Sequence, residues 1–371
     1  FSAALSNSRM KTEDHRLANL LQVMATDRSL VQEHLGRYAS VEDDGFAALN
    51  TAFLHDGAYV HVSSGQVGPE VLNLIYVTTQ PSEPKATFPR TLILASRNSQ
   101  VTISESYVSL VQGESFTNAV TEIVLEDGAS ATVLAEMNSQ GEGEAGLHCG
   151  SLEMMLGAGA NLRYVNLQNW SDATWHFARH NARLGQDASL QWTSAAMGSR
   201  LSKVNQHVML DGKGANCQVN GVLFTEGKQH LSYHTLQHHT APGCRSDFLY
   251  KSALQDRSRT VWRGMIKVDP AGQQTDGYQR NDNLLLSDQA RADSIPGLEI
   301  EADDVRCTHG STTSQVDEEL IFYANCRGLA RGEAVRLIVS GFFQQIFDRI
   351  TVPSVRDALA EAIARRVREF E

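Results

Sequence analysis

Four segments of the chain are written to one plan: LEDGASATV from position 125, LGAGANLRY from 156, LGQDASLQW from 184 and LDGKGANCQV from 210. Each places a leucine before a turn rich in glycine or aspartate, then a small residue, then an extended run. The alanines that close the turns (Ala129, Ala160, Ala188, Ala215) step by 31, 28 and 27 residues. Looser copies stand at LHDGAYVHV, VDPAGQQTD and LSDQARADS. A turn that recurs at a near-constant period marks stacked coils, because one coil cannot bury its inner face without a neighbour. Glycine and aspartate supply the backbone freedom and local hydrogen bonds of a sharp corner, and the leucines and alanines line the shared interior. Crossover helices do not fit between strands so closely spaced, which argues against βαβ units. The expected fold is mainly β, a right-handed parallel β-helix over residues 56–326. A β-sandwich with similar turns is the alternative.

The flanks read differently. Within an N-terminal helical region, 1–55, residues 11–39 repeat Leu17, Leu20, Leu21 and Met24, then Leu30, Val31 and Leu35, at helical spacing. A shorter helical piece, FAALNTAFL, follows. The region 327–371 returns to helix. RGEAVRLIVSGFFQQIFDRI is apolar around much of its circumference, and Pro353 breaks it. Beyond the proline, Val355, Leu359, Ile363 and Val367 form a narrow stripe, with Ser354 and Asp357 as a candidate capping pair. Two roles suit these helices: capping the open end of the coil, or offering an apolar surface to a partner. Because the chain opens at Phe1 rather than methionine, native N-terminal residues, and any targeting peptide, are expected to precede it.

Composition narrows the function. With 371 residues, 42% of them hydrophobic and 20% charged, the chain can bury a large globular core. A net charge of -11 argues against a nucleic-acid or anionic-membrane footprint. No apolar run is long enough to span a bilayer. The five cysteines are scattered without a CxxC pair, which speaks against a disulfide framework or zinc ribbon and for free thiols in a reducing compartment.

Few residues carry chemistry. In DDVRCTHGSTTSQVDEEL, an extended backbone would put Cys307 and His309 on the same face, roughly 7 Å apart along the strand. A thiolate and an imidazole so placed suit iron or zinc, but a closed site needs more ligands. No oxyanion donor accompanies the pair as nucleophile and base, and ordinary packing is the third reading. Asp317, Glu318 and Glu319 suit a solvated turn or a helix start. In HLSYHTLQHHTAPGC, His230, His234 and His238 share one face of either a helix or a strand. A metal ladder and a hydrogen-bonded polar ladder are the two readings, the second preferred. DGKGAN lacks the second half of a phosphate loop, so the chain does not read as an ATPase.

Several longer stretches go beyond pattern. FPRTLILASRNSQVTISESYVS, QRNDNLLLSDQARADSIPGLEI, ADDVRCTHGST and DEELIFYANCRGL closely resemble the SufB/SufD family of iron–sulfur cluster assembly proteins, across nearly all of residues 54–350. The Cys307-Thr308-His309 spelling, with TDGYQ upstream, is similar to the SufD branch; the SufB branch carries Glu-His without the cysteine. The resemblance implies a parallel β-helix between helical termini and a non-catalytic scaffold subunit that works with SufB and the ABC-type ATPase SufC. It implies a homodimer when isolated, and a place in the bacterial cytoplasm or the plastid stroma. It puts SufC docking on the C-terminal helices, at Val339, Phe342, Phe343, Ile346 and Phe347. It sets Cys307 and His309 at an interface shared with SufB, where they help hold iron or a nascent cluster. No tightly bound cofactor is implied for the isolated subunit, and no motif assigns a flavin to the complex. The alternatives are a SufB-like scaffold that holds the cluster itself, and a β-helix polysaccharide lyase or hydrolase. The latter predicts aromatics along a groove, and Trp170, Trp175, Trp192 and Trp262 do not line up that way.

Overall fold

The computed structural model describes residues 10–11, 15–39, 42, 44–68, 71–79, 86–111, 113–139 and 145–367. The N-terminal part runs β1 (Met10–Lys11), β2 (His15–Asn19), α1 (Leu20–Thr26), α2 (Arg28–Gln32) and α3 (Gly45–Ala52). The coil begins with β3 (Asp56–Val62), β4 (Leu72–Thr78), β5 (Ala86–Thr87), β6 (Pro89–Ala95), β7 (Gln100–Ser109) and β8 (Glu114–Leu125). It continues through β9 (Ser130–Ser139), β10 (Ala145–Leu156), β11 (Asn161–Asn169), β12 (Trp175–Leu184), β13 (Ser189–Ala196) and β14 (Leu201–Leu210). Then come β15 (Asn216–Thr225), β16 (His230–His239), β17 (Arg245–Leu254) and β18 (Arg259–Val268). The last coil strands are β19 (Thr275–Leu285), β20 (Arg291–Ile300) and β21 (Val305–Gln315). Three helices end the chain: α4 (Glu318–Cys326), α5 (Arg331–Phe347) and α6 (Pro353–Arg366).

From β6 onward successive strands alternate between two sheets. One runs β1-β2-β3-β6-β8-β10-β12-β14-β16-β18-β20, with β5 beside β8, and the other runs β21-β19-β17-β15-β13-β11-β9-β7-β4. Apart from the β1/β2 and β2/β3 pairs, every pairing is parallel. The molecule is therefore the expected parallel β-helix. Its repeat leucines fall in register, Leu125 on Leu156, Leu156 on Leu184 and Leu184 on Leu210.

The corners explain the glycine and aspartate of the repeat. Asn98, Gly128, Gly159, Asp187, Gly214, Gly243 and Gln274 all have φ between 53° and 74°, the left-handed region that only glycine enters without steric cost. The N–H of each donates to the turn of the next coil: Gly128 to the Ala158 carbonyl at 2.8 Å, Gly159 to Gln186 at 2.7 Å, Asp187 to Lys213 at 2.9 Å. The residue after each corner is buried, and it is alanine at four of the seven: Ala129, Ala160, Ala188 and Ala215. Within the strands burial alternates with period two, and Trp192 and Trp262 fill the interior between the sheets.

The N-terminal segment differs from the sequence expectation. His15–Asn19, including Leu17, is a strand that pairs antiparallel with β3, and helix begins only at Leu20. The open edge of β3 offers unpaired backbone groups, and satisfying them outweighs helical periodicity. Leu20, Val23 and Val31 are buried while Leu21 is exposed. This segment is tied to the coil by Arg90 and Glu122, a fully buried ion pair at 2.6 Å. Glu122 also accepts the Gly36 N–H, and Arg90 donates to Thr51 in α3.

The C-terminal helices cover a face of the coil rather than its end. α5 packs on β15 and β17, where Val335, Val339, Phe343 and Ile346 meet the outward-facing Val222, Phe224, Leu249 and Ala253. Pro353 opens α6 rather than ending α5, as its preset φ suits the first helical position. Val352 occupies the N-cap without a side-chain hydrogen bond, so Ser354 and Asp357 do not form the expected capping pair; Asp357 bonds Arg356 instead. Asp317 caps α4, with Glu318 and Glu319 in its first turn, which selects the helix-start reading of these acids and starts the helices ahead of position 327. Among the described residues nothing pairs with the outer edges of β20 and β21.

Two corner substitutions separate conformation from contact. A Cβ added at Gly159 meets nothing within 4 Å, so Gly159→Ala is expected to cost about 1 kcal/mol, the left-handed penalty alone. At Gly128 the Cβ falls 2.2 Å from Asn98 Oδ1, so Gly128→Ala is expected to cost more. Urea denaturation of both variants checks the order.

Candidate functional site

β21 is the last strand of its sheet, and its register sets Cys307 on Gly277 and His309 on Gln279. Cys307 and His309 thus continue the inward-facing column of β19, at the coil's open end. The extended backbone puts both on one side of the strand, as period two requires. Cys307 is half-buried against Ile266, Val268, Ala302 and Val305. His309 is exposed, and its side chain has no hydrogen-bond partner among the described residues. Gly277 provides the space beneath the thiol: a Cβ there would stand 3.3 Å from Cys307 Sγ and from Ile266 Cγ2. In the sequence, the one signal for Gly277 is its place in the TDGYQ stretch just upstream.

Burial pushes the Cys307 thiol above its usual value. The Gly277 N–H opposes this and Asp276 adds to it. The protonated thiol is therefore the resting form near neutrality, and a metal that binds it must displace the proton. Thiol and imidazole are suitable donors for iron, but two donors leave the coordination unfinished. Among the described residues no group of three or more His, Cys, Asp or Glu side chains is placed to hold a metal. Any closure must come from outside the set.

The surrounding surface is a broad unpaired edge. β20 carries exposed Ile295, Leu298 and Ile300, and most of β21 faces solvent. Such an edge is a template for pairing with another chain.

The other candidates separate. His230, His234 and His238 lie on the outer face of β16, half-buried. Four residues of strand span roughly 13 Å, too far for one ion to bridge two of them, so the metal-ladder reading falls. Two of them make individual polar contacts, His238 with Asp269 at 3.0 Å and His234 with Ser232 at 3.3 Å, while His230 Nε2 is buried without a partner among the described residues. His239 points inward to Ser246 at 2.8 Å. Of the four tryptophans only Trp175 is exposed, so no aromatic groove of the kind a polysaccharide enzyme needs is formed by them.

The docking residues read from α5 need correction. Val339, Phe343, Ile346 and Phe347 are buried against the protein's own sheet. Phe342 is partly buried, with the Lys251 ammonium 4.8 Å from its ring centroid. The apolar side chains that face solvent are Leu320, Phe322 and Tyr323 of α4, Leu329, and Leu337 of α5. A helix apolar on nearly all sides does not reveal which face its own fold consumes.

Fold and pair together define a parallel β-helix protein with a thiol–imidazole pair on a terminal strand whose outer edge is unpaired among the described residues. Residues 76–142 and 123–342 match the model of the SUF system FeS cluster assembly, SufBD core domain, and residues 2–74 match that of the SufBD protein N-terminal region. The chain belongs to the SufBD family of iron–sulfur cluster assembly proteins. An iron-sulfur cluster assembly SufBD family protein of Mycobacterium leprae is 37% identical over 227 residues, 59% of this chain and 58% of that one. One from Synechocystis is 26% identical over 346 residues, 90% of this chain and 70% of that one. The iron-sulfur cluster assembly protein SufD of Escherichia coli is 28% identical over 243 residues, 66% of this chain and 57% of that one. The chain thus spans under two thirds of the M. leprae and E. coli proteins.

The raised thiol has a direct readout. Carbamidomethylation of Cys307, followed by mass spectrometry across pH, is expected to reach half its maximal rate above the ordinary thiol value. Gly277→Ala, which crowds the sulfur, is expected to change the Cys307 rate without changing that of exposed Cys326.

Proposed function

We propose that this chain is a SufD-type, non-catalytic subunit of an iron–sulfur cluster assembly scaffold, and that Cys307 and His309 handle iron or a nascent cluster as cargo. One observation carries the reading: the two donors sit together at an unpaired coil end, incomplete as a metal site. A second chain of the same family, SufB in the assembly or another copy in isolation, pairs with β20 and β21 and supplies the missing ligands. The Cys-x-His spelling favours the SufD-type role over a SufB-like scaffold that holds the cluster alone. No helix among the described residues is long and apolar enough to cross a membrane, which suits work in the bacterial cytoplasm or the plastid stroma.

Nucleotide hydrolysis is supplied by SufC, an ABC-type ATPase that docks on the solvent face of α4 and α5. Support comes from Leu320, Phe322, Tyr323 and Leu337, all more than half exposed, three of them within the DEELIFYANCRGL stretch. Large apolar side chains clustered at a surface mark interaction sites.

Two experiments test these assignments. In the assembled complex, Cys307→Ala and His309→Ala are each expected to lower iron content while leaving subunit stoichiometry unchanged; unchanged iron in both variants refutes the cargo role. Phe322→Ser with Tyr323→Ser is expected to abolish SufC co-purification while melting temperature holds. Phe343→Ser, by contrast, is expected to cost about 3–5 kcal/mol of stability, as for loss of a buried phenylalanine. Retention of SufC by the Phe322/Tyr323 variant rules out the α4 surface.

A further inference from the structure

The outer face of the larger sheet meets the N-terminal segment at a pocket of about 310 Å³, within the size range of small-molecule sites. Its floor is built by register. Glu153, Asn181 and His207 form one row across β10, β12 and β14, and Met155, Arg183 and Met209 form the row two residues further on. Arg37, Tyr38 and Asp44 close it from the N-terminal side.

The carboxyl groups in this pocket are buried and under-used, whereas its arginines Arg37 and Arg183 are exposed. Asp44 is 6% exposed; its Oδ1 accepts the Phe46 N–H at 2.9 Å, and its Oδ2 has no partner. Glu153 is 7% exposed and accepts one bond, from Asn181 Nδ2 at 2.7 Å. Burial pushes its carboxyl up to about 8, against the opposing pull of the Asn181 bond and Arg179. His207 Nε2 is buried without a partner. Arg183 uses its Nε on Asp211 at 2.8 Å and its Nη2 on Met209 Sδ at 3.1 Å, which leaves Nη1 for a ligand.

This mixture excludes the simple ligands. A phosphate would have to approach the Asp44 carboxylate, whose Oδ2 is unpartnered. A divalent cation would find no set of three ligating side chains among the described residues and would face arginine. A ligand with both signs of charge satisfies both groups: an ammonium reaches Asp44 Oδ2 and Glu153, and a carboxylate reaches the guanidinium of Arg183 or Arg37. The Met155 and Met209 thioethers and the Tyr38 ring leave an apolar wall for a side chain. We propose that this pocket binds a small zwitterion of the free α-amino acid class, with the ammonium at Asp44 and the carboxylate at the arginines.

Isothermal titration of the purified chain with L-methionine, N-acetyl-L-methionine and L-methionine methyl ester tests this. L-Methionine is expected to saturate one site, and both charge-deleted analogues to bind at least about tenfold more weakly. Asp44→Asn keeps an N-cap residue of the same shape and is expected to weaken L-methionine about tenfold while leaving the N-acetyl analogue unchanged. Arg183→Gln is expected to weaken L-methionine but not the ester, which gives a second route if Asp44→Asn misfolds by circular dichroism. Equal binding of all three compounds, or no saturation up to about 20 mM, overturns the proposal. So does an L-methionine affinity untouched by either variant.

Discussion

The corner hydrogen bond is the interaction on which the rest of the molecule depends. Seven left-handed residues, from Asn98 to Gln274, each donate an N–H to the turn of the following coil. A parallel strand pair taken alone tolerates slippage, and a slip of one residue would turn every inward side chain outward. A repeated corner bond removes that freedom, because the turn meets its neighbour in only one alignment. Once the corners are locked, Leu125, Leu156, Leu184 and Leu210 must stack. The same register fixes what lies outside: the row of Glu153, Asn181 and His207 exists because β10, β12 and β14 cannot shift.

A stacked coil has two ends, and this chain treats them differently. At the first, the β2 strand pairs antiparallel with β3, and the Arg90–Glu122 pair holds the helices over the sheet. Separating that pair would strand a charge in a fully buried site, which is far costlier than losing an exposed one. At the other end the chain leaves β21 and lays α5 across β15 and β17, so the terminal edge stays open. Burying Phe343, Ile346 and Val339 on a broad apolar face removes more surface from water than a short helix could cover at the coil's tip. The donor pair is peripheral as a result.

Much of this was legible because the coil is written locally. Ala129, Ala160, Ala188 and Ala215 each follow a residue that needs positive φ, so turn chemistry and core position share one short string. The same-face placement of Cys307 and His309 followed from strand period alone. What was not legible depended on competition between distant segments. Leu17 fits a helical stripe, but β3 needed an edge partner and made His15–Asn19 a strand. The α5 sequence shows apolar residues all round, and only the presence of Val222, Phe224 and Leu249 outside the sheet decides that Phe343 is consumed while Leu337 is not. Gly277 was invisible for a related reason: its role is to be small beneath a residue one coil away.

The two surfaces proposed for partners are joined by polar contacts as well as by the sheet. Lys251 on β17 donates to the Phe342 carbonyl of α5 at 2.8 Å and lies 3.8 Å from Asp282 on β19. Asp282 in turn accepts from Thr312 on β21 at 2.6 Å, and β21 is the strand that carries Cys307 and His309. Burial lowers the Lys251 ammonium from its usual value, and Asp282 opposes that. A parallel coil with locked corners has little freedom to bend between the helix face and the open edge. If a second chain pairs with β21 as proposed, movement of α5 would be felt there as movement of the whole edge. A donor pair completed only across that edge is sensitive to such movement, whereas a closed site inside one chain would not be.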